Sequence, residues 1–274
     1  MYKQPYKYNM STKPIAIVTG ANGVFGQYIC QGIMKTHQLY CIVRNEEKGK
    51  QLLKFLNGAD AKYLLCDLSK PSSITALAKQ FEGKAVQCLI NNAAITPKKK
   101  ATSEETGEEL QWCVNVLAYH RLTKAFLPNL KLSSSQQTNN KSRVVFVASF
   151  YAGGLNLNDP EFKKRSYSSD SAYQASKQAD RMLAFAWSKQ CDDILFSSCH
   201  PHVATSAVSL GLGFDLDRSK KAQLQGAVTP LYCALSPKIT KSGLYYSDSS
   251  LEECNFCQDA NGVDKLWKMC ESSS

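Results

Sequence analysis

No stretch of this 274-residue sequence approaches the eighteen or more apolar residues that a bilayer-crossing helix needs, and residues 1–14 lack the apolar segment of a secretory signal. Both absences argue against a membrane span and predict an unsecreted, cytoplasmic protein. Cys254 and Cys257 have CxxC spacing, but no second such pair or histidine lies near them and only Cys270 is close, so no metal site is expected. Eleven cysteines, an odd number spread over strand-like and helix-like segments, read as reduced buried thiols rather than a disulfide framework. The net charge of +10 includes clusters at Lys98-Lys99-Lys100 and Lys163-Lys164-Arg165 that would attract phosphates or acidic partners. Aromatic side chains do not interleave with them, which excludes a stacking surface for nucleic acid and leaves solvated loops as the simpler reading.

What is present is a core. Hydrophobic residues make up 43% of the chain and charged residues 20%, the balance of a folded globular domain. Short apolar runs at Ile15 to Thr19, Leu39 to Val43, Ala61 to Cys66, Val86 to Asn91, Arg143 to Ser149 and Ile194 to Cys199 are separated by helical stretches. Repeated βα units predict a single α/β domain, a doubly wound parallel sheet of Rossmann type with helices on both faces. Residues 1–13 are expected to form a tail and residues 14–274 the domain. The polar stretch between Lys131 and Ser142 is expected to be a surface loop.

Thr19-Gly20-Ala21-Asn22-Gly23-Val24-Phe25-Gly26 stands where the first strand hands over to the first helix. Glycines there let the backbone turn sharply and approach a pyrophosphate, whose charge the helix start favours. Gly20, Asn22, Gly23, Val24, Phe25 and Gly26 are therefore candidate cofactor contacts. The second strand ends in Arg44, where an enzyme using NAD usually offers an acid to the ribose. A guanidinium suits a 2′-phosphate instead, so NADP(H) is expected in preference to NAD(H). Asp67, followed by Leu68 after the third strand, either faces the adenine or caps the following turn.

Tyr173 and Lys177 lie four apart at the start of a helical stretch and so share a face. A phenol titrates near pH 10, so a lysine cation beside it is needed before it can exchange protons with an alcohol at neutral pH. Ser149 ends an apolar strand, and strand C-termini border the ligand crevice of open α/β sheets.

Together TGANGVFG, Asn91-Asn92-Ala93-Ala94, Asn115, Ser149 and Tyr173-x-x-x-Lys177 resemble the short-chain dehydrogenase/reductase family over nearly the whole chain. The resemblance implies that Ser149 holds the substrate oxygen and Tyr173 is the general acid/base. It implies that Lys177 lowers the Tyr173 pKa and binds nicotinamide ribose, that Asn115 supports a water-linked proton relay, and that Asn91 and Ala93 lie beside the cofactor. The interval between Ser149 and Tyr173, the segment from Gly226 to Pro237 and the ending Asp264-Lys265-Leu266-Trp267-Lys268 look like the retinol dehydrogenase branch. That branch implies an alcohol dehydrogenase or carbonyl reductase acting on lipophilic alcohols, aldehydes and ketones.

Two departures stand out. The middle glycine falls at Gly23, with Val24 where the branch has glycine, and the resulting GxxGxxG looks like the epimerase and dehydratase branch. Pro201-His202-Val203-Ala204-Thr205 looks like the family's PGxVxT segment with glycine replaced and one residue missing. Pro201 and Val203 are expected at the cofactor, with either Thr205 or Ser206 supplying the hydroxyl. A non-redox epimerase and a cofactor sensor with little turnover are the rival readings. The small-molecule substrate, the reaction's direction and any homo-oligomer carry no sharp signal in the chain.

Overall fold

Each apolar run of the sequence becomes a strand and the periodic stretch after it a helix. The computed structural model describes residues 13–58, 60–136 and 140–273. In chain order, β1 (Ile15–Thr19), α1 (Val24–Ile33), β2 (Gln38–Val43), α2 (Glu46–Leu56), β3 (Ala61–Leu65), α3 (Pro71–Lys79) and β4 (Val86–Asn91) form the first half. After β4 come the single turn α4 (Leu110–Trp112), a π-helical turn over Cys113–Leu117 and the long α5 (Ala118–Gln136). The second half contains β5 (Ser142–Val147), α6 (Ser169–Ser188), β6 (Ile194–Cys199), α7 (Ala207–Gly211), α8 (Lys220–Leu235), β7 (Leu244–Ser247), β8 (Ser250–Glu252) and α9 (Ala260–Ser272).

The strands form one sheet in the order β3-β2-β1-β4-β5-β6-β7-β8. Neighbours from β3 through β7 pair in parallel, and β8 closes the edge antiparallel to β7. Because side chains alternate along a strand, Ile17 joins the core under α3, α5, α6 and α9, while Ala16 and Val18 join the core under α1, α2 and α8. Burial on both faces is why the strands read as unbroken apolar runs. The strand order reverses between β1 and β4, and the crevice outside the carboxyl ends of strands at such a switch point is where open α/β sheets bind ligands.

Two expectations need correction. The polar stretch expected as a loop between Lys131 and Ser142 is helical as far as Gln136, with 137–139 outside the described residues. Its serines find partners across the fold: Ser134 Oγ donates to the Asp193 carbonyl (2.7 Å) and Ser142 Oγ to the Leu130 carbonyl (2.6 Å), docking the polar helix end onto the sheet. Besides the six strands read from the sequence, β7 and β8 extend the sheet. β7 is only four residues long, and every residue of β8 is exposed, so neither has an apolar run to mark it. The tail expected over 1–13 lies, apart from Lys13, outside the described residues.

Phe81, 1% exposed, stands between the rings of Tyr40 (4.8 Å between centroids) and Phe126 (5.3 Å), both edge-on. Truncating it leaves a cavity that these rigid rings cannot refill. Phe81→Ala is expected to cost about 3–5 kcal/mol of unfolding free energy, measured as a lower urea midpoint with an unchanged slope.

Candidate active site

The turn between β1 and α1 is built around two glycines. Gly20 has φ +59°, and a Cβ there would stand 2.7 Å from the Ala93 Cα. At Gly26 a Cβ would come within 2.1 Å of the Gly20 carbonyl oxygen, so the first turn of α1 closes on Gly20 only without a side chain. Gly23 is under weaker constraint, with the same oxygen 3.2 Å from its virtual Cβ, and its N–H donates to the Gly20 carbonyl (3.0 Å). Val24 begins α1 without needing to be glycine, which explains the displaced pattern. As N-cap, Gly23 brings no side chain to the amino end of α1, leaving its first N–H groups for another partner.

β4 fixes this turn from beside it. The Thr19 hydroxyl accepts from the N–H groups of Asn92 (2.9 Å) and Ala93 (3.1 Å), and Asn92 Nδ2 donates to the carbonyls of Thr19 (2.9 Å) and Gly20 (3.2 Å). The turn opens into a cavity of about 1020 Å³ at the carboxyl ends of β1, β2, β4, β5 and β6. Gly20, Asn22, Gly23, Val24, Phe25 and Gly26 line one end, together with Arg44, Lys48, Asp67 and Leu68. Asp67 also caps the turn after β3, Oδ1 accepting from the N–H (3.0 Å) and hydroxyl (2.7 Å) of Ser69. It therefore faces the cavity while holding the turn, and the two sequence readings do not exclude each other.

The other end carries Ser149, Tyr173 and Lys177. Ser168 caps α6 by accepting from the Ser171 N–H (3.3 Å), which starts the helix early enough to carry Tyr173 and Lys177 past the end of β5. The Ser149 hydroxyl is in hydrogen-bond contact with the Tyr173 phenol and accepts from the Tyr151 N–H at 3.0 Å. Lys177, 1% exposed, donates to the Val147 carbonyl (2.9 Å) and to Asp180 Oδ2 (2.8 Å). Burial pushes the Tyr173 phenol above its ordinary value of 10, and Asp180 adds to that; Lys177 and Ser149 pull the other way and do not overcome it. Burial opposes the Lys177 cation too, but Asp180, Tyr119 and Tyr173 outweigh it and hold its pKa above the ordinary lysine value. The sequence places a lysine cation beside the phenol to stabilise the phenolate, and Lys177 does pull the Tyr173 pKa down. In the folded protein, burial outweighs the lysine and Tyr173 remains a protonated phenol.

Three expected contacts stand back from the cavity wall. Asn91, at the end of β4, faces α5, where its Nδ2 lies 3.4 Å from the Thr123 hydroxyl; strand alternation gives the cavity side to Asn92. Asn115, in the π-helical turn, spends its amide on the N–H (2.9 Å) and carbonyl (3.1 Å) of Ile95 and on Ser176 Oγ (3.2 Å). It holds the β4 exit loop and α6 in register rather than reaching the cavity. The Thr205 hydroxyl is taken by Asp215 Oδ1 (3.1 Å) and the Leu216 N–H (2.7 Å), whereas Ser206 lines the cavity as the N-cap of α7. Pro201 and Val203 line it too, as does Ala93.

Lys48 and His200 line the cavity and escaped the sequence reading. Lys48 follows Arg44 by four residues at the start of α2, a spacing that could have marked it. His200 stands just beyond β6, so the strand-end rule that found Ser149 would have found it. His200 is buried with its ring edge-on to Phe150 (4.6 Å), and its Nδ1 has no hydrogen-bond partner among the described residues.

A parallel sheet with helices on both faces and its cavity at the switch point defines a Rossmann-type α/β protein. The chain belongs to the short chain dehydrogenase family, whose family model matches residues 14–208. Members of this family are oxidoreductases that bind NAD(P)(H). An uncharacterized oxidoreductase of Schizosaccharomyces pombe is 29% identical, the alignment covering 86% of this chain and 77% of that one. Retinol dehydrogenase 14 of Mus musculus is 26% identical over 93% of this chain and 84% of its own. Among solved structures, an uncharacterized protein from Mycobacterium paratuberculosis superposes with a TM-score of 0.77 at 22% identity, covering 94% of this chain and 92% of the other. No helix among the described residues is long and apolar enough to cross a membrane.

Burial holds the His200 pKa down at about 4, below the ordinary 6.5. The unfolded chain therefore binds this proton more readily than the native state, so stability present above pH 6.5 is lost as pH falls toward 4. Between about pH 7.5 and about pH 5 this one group is expected to remove about 2 kcal/mol of unfolding free energy. Urea titrations should show that loss in the parent chain and a shallower slope with pH in His200→Gln. An unchanged slope would exclude the assignment.

Proposed function

We propose that this chain is an NADP(H)-dependent carbonyl reductase or alcohol dehydrogenase acting on a lipophilic substrate. The observation that carries the reading is that one continuous cavity joins the glycine turn and two cationic side chains at one end to Ser149, Tyr173 and Lys177 at the other.

The residues present suit a dinucleotide. The uncapped amino end of α1 offers N–H groups and a positive dipole end to a pyrophosphate. Arg44 and Lys48 supply two positive charges toward a 2′-phosphate, while Glu46 beside them is engaged by Lys50 at 2.8 Å. Ser206, with Pro201 and Val203, fits the amide end of the cofactor better than Thr205 does.

A bound nicotinamide supplies the hydride. The protein's part is to hold the carbonyl and move the proton. Ser149 Oγ donates a hydrogen bond to the substrate oxygen, and the Tyr173 phenol gives that oxygen its proton as negative charge develops there. A phenol kept protonated by burial can serve as the acid in carbonyl reduction. Lys177 faces Tyr173 across 5.8 Å and stabilises the phenolate left behind, its ammonium held by Val147 and Asp180 at the cavity wall where a nicotinamide ribose would lie. Asn115 acts here as a positioning residue. Phe150, Tyr151, Phe214 and Leu216 surround the substrate end, and Phe150 and Phe214 are 57% and 43% exposed, which suits an apolar substrate better than a sugar nucleotide.

With a panel of lipophilic aldehydes and ketones, NADPH oxidation should be visible for the parent chain. Tyr173→Phe should lower kcat on the order of a hundredfold or more with cofactor affinity unchanged. Tight NADPH binding without turnover of any carbonyl would instead favour a sensor.

Replacing both Arg44 and Lys48 by Ala should weaken NADPH binding about tenfold or more, roughly 1.4 kcal/mol, while leaving NADH binding unchanged in a fluorescence titration. Equal loss for both cofactors would remove the preference for NADP(H).

A further inference from the structure

Cys254 and Cys257 take no part in the site described above, yet they form the most chemically distinctive cluster outside it. Cys254 caps a short 3₁₀ turn over Asn255–Cys257, in which the Cys257 N–H donates to the Cys254 carbonyl at 3.0 Å. The turn brings the two sulfurs within 3.3 Å of each other as free thiols, both partly exposed. Two other cysteine pairs also face each other, Cys30 with Cys41 (3.8 Å between sulfurs) and Cys199 with Cys233, but all four of those residues are buried in the core, beyond reach of a reagent.

The surroundings of the exposed pair favour a thiolate at one sulfur. Cys254 receives a hydrogen bond from the Cys257 thiol and faces the Arg181 guanidinium, with the N–H groups of Phe256 and Cys257 turned toward it. Together these hold its pKa down at about 6 against the opposing effect of burial. The same hydrogen bond, with burial, pushes Cys257 up, so it keeps its proton. Such an asymmetric pair has a nucleophile and a resolving thiol. Among the described residues no group of three or more metal-ligating side chains includes them.

The turn also touches the active-site wall. Phe256, between the two cysteines, lies 5.6 Å from the Arg181 guanidinium, and the Cys257 sulfur lies 3.6 Å from the Arg181 carbonyl. Arg181 in turn lies over the Tyr245 ring at 3.7 Å, donates to the Tyr245 hydroxyl (2.8 Å), and holds the Ser149 carbonyl through Nε (3.1 Å) and Nη2.

We propose that Cys254 and Cys257 form a thiol–disulfide exchange site for small-molecule disulfides, and that its oxidation loosens the Arg181 clamp on Ser149. In the first step the Cys254 thiolate attacks one sulfur of a small disulfide RSSR, forming Cys254–S–S–R and releasing RS⁻, which takes up a proton. In the second the Cys257 sulfur, giving up its proton, attacks the Cys254 sulfur and expels the remaining RS⁻, which takes that proton. Overall the dithiol and RSSR become the protein disulfide and two RSH: the protein loses two electrons and two protons, and the small disulfide gains them. Oxidation removes the sulfur charge facing the Arg181 guanidinium and draws the Cys257 sulfur, 3.6 Å from the Arg181 carbonyl, toward Cys254, which loosens the turn's hold on Arg181.

The test uses the full chain with iodoacetamide, then with oxidised glutathione, and reads peptide masses. Iodoacetamide at neutral pH should alkylate Cys254 several-fold faster than any other cysteine. Oxidised glutathione should yield a peptide lighter by two hydrogens, with Cys254 joined to Cys257 and the change reversed by dithiothreitol; in Cys257→Ser the glutathione adduct should remain on Cys254. Hydrogen exchange of the Tyr151 amide, which donates to Ser149 Oγ, should quicken several-fold on oxidation of the parent chain but not of Cys254→Ser. Labelling of Cys254 no faster than of Cys191, or a mixed disulfide that persists in the parent chain, would overturn the exchange site. A disulfide that forms without changing Tyr151 exchange would overturn its link to Ser149. None of these readouts depends on turnover, so they stand or fall apart from the proposed activity.

Discussion

The Lys177 ammonium sits in the dry interior between β5 and α6, and the arrangement of the site depends on how that charge is satisfied. A buried cation without partners would be driven to neutrality or to water. Here the Val147 carbonyl takes one N–H and Asp180, one helical turn further along α6, takes another. The contact to Val147 fixes α6 against the end of β5, so Tyr173 and Ser149 face each other across a distance set by the backbone rather than by flexible side chains. Arg181, the next residue of α6, adds a second tie to the same strand end by holding the Ser149 carbonyl. Two positions one turn apart on a helix face, Lys177 and Arg181, thus lock a strand end whose hydrogen-bonding ladder has run out.

The Lys177–Asp180 pairing also has an electrostatic consequence. Burial raises the Asp180 carboxyl to about 7 although Lys177 draws it down, and its second oxygen has no partner among the described residues. Each partner in such a pair stabilises the other only while both stay in place. Burial is the main reason Tyr173 lies above its ordinary value despite a cation 5.8 Å from its ring, and the nearby carboxyl adds a smaller push in the same direction. Cation and phenol are adjacent, but the dry layer around both outweighs what the lysine does for the phenol.

Much of this was legible in the sequence because it rests on period and punctuation. The six apolar runs marked the strands, and the glycines of the first turn proved necessary at the two positions, Gly20 and Gly26, where a Cβ has no room. The reading went astray where the deciding variable is one residue of register or the allegiance of a polar group. Asn91 and Asn92 are equally suitable by type, and only the parity of β4 gives the cavity to Asn92. Thr205 and Ser206 likewise differ in what has claimed the hydroxyl, a loop aspartate in one case and a helix start in the other. The serine-rich end of α5 looked like a loop because its polar groups compete with helix in isolation; the carbonyl before β6 that accepts from Ser134 is distant in sequence.

The irregular glycine turn and the replaced Pro201 segment bear on the same cavity from opposite sides, and the structure treats them differently. At the turn the change is absorbed: Phe25 packs where Gly226 of α8 leaves room, a Cβ at 226 lying 2.0 Å from that ring, so a bulky residue after the displaced glycine has a matching absence across the helix pair. At Pro201 it is accommodated by handing the cavity position to Ser206 and using Thr205 to bind Asp215 and Leu216, which shapes the loop carrying Phe214 and Leu216. The first departure therefore preserves the end lined by Arg44 and Lys48. The second reshapes the apolar end, in a loop whose course follows from where one threonine hydroxyl finds its partners.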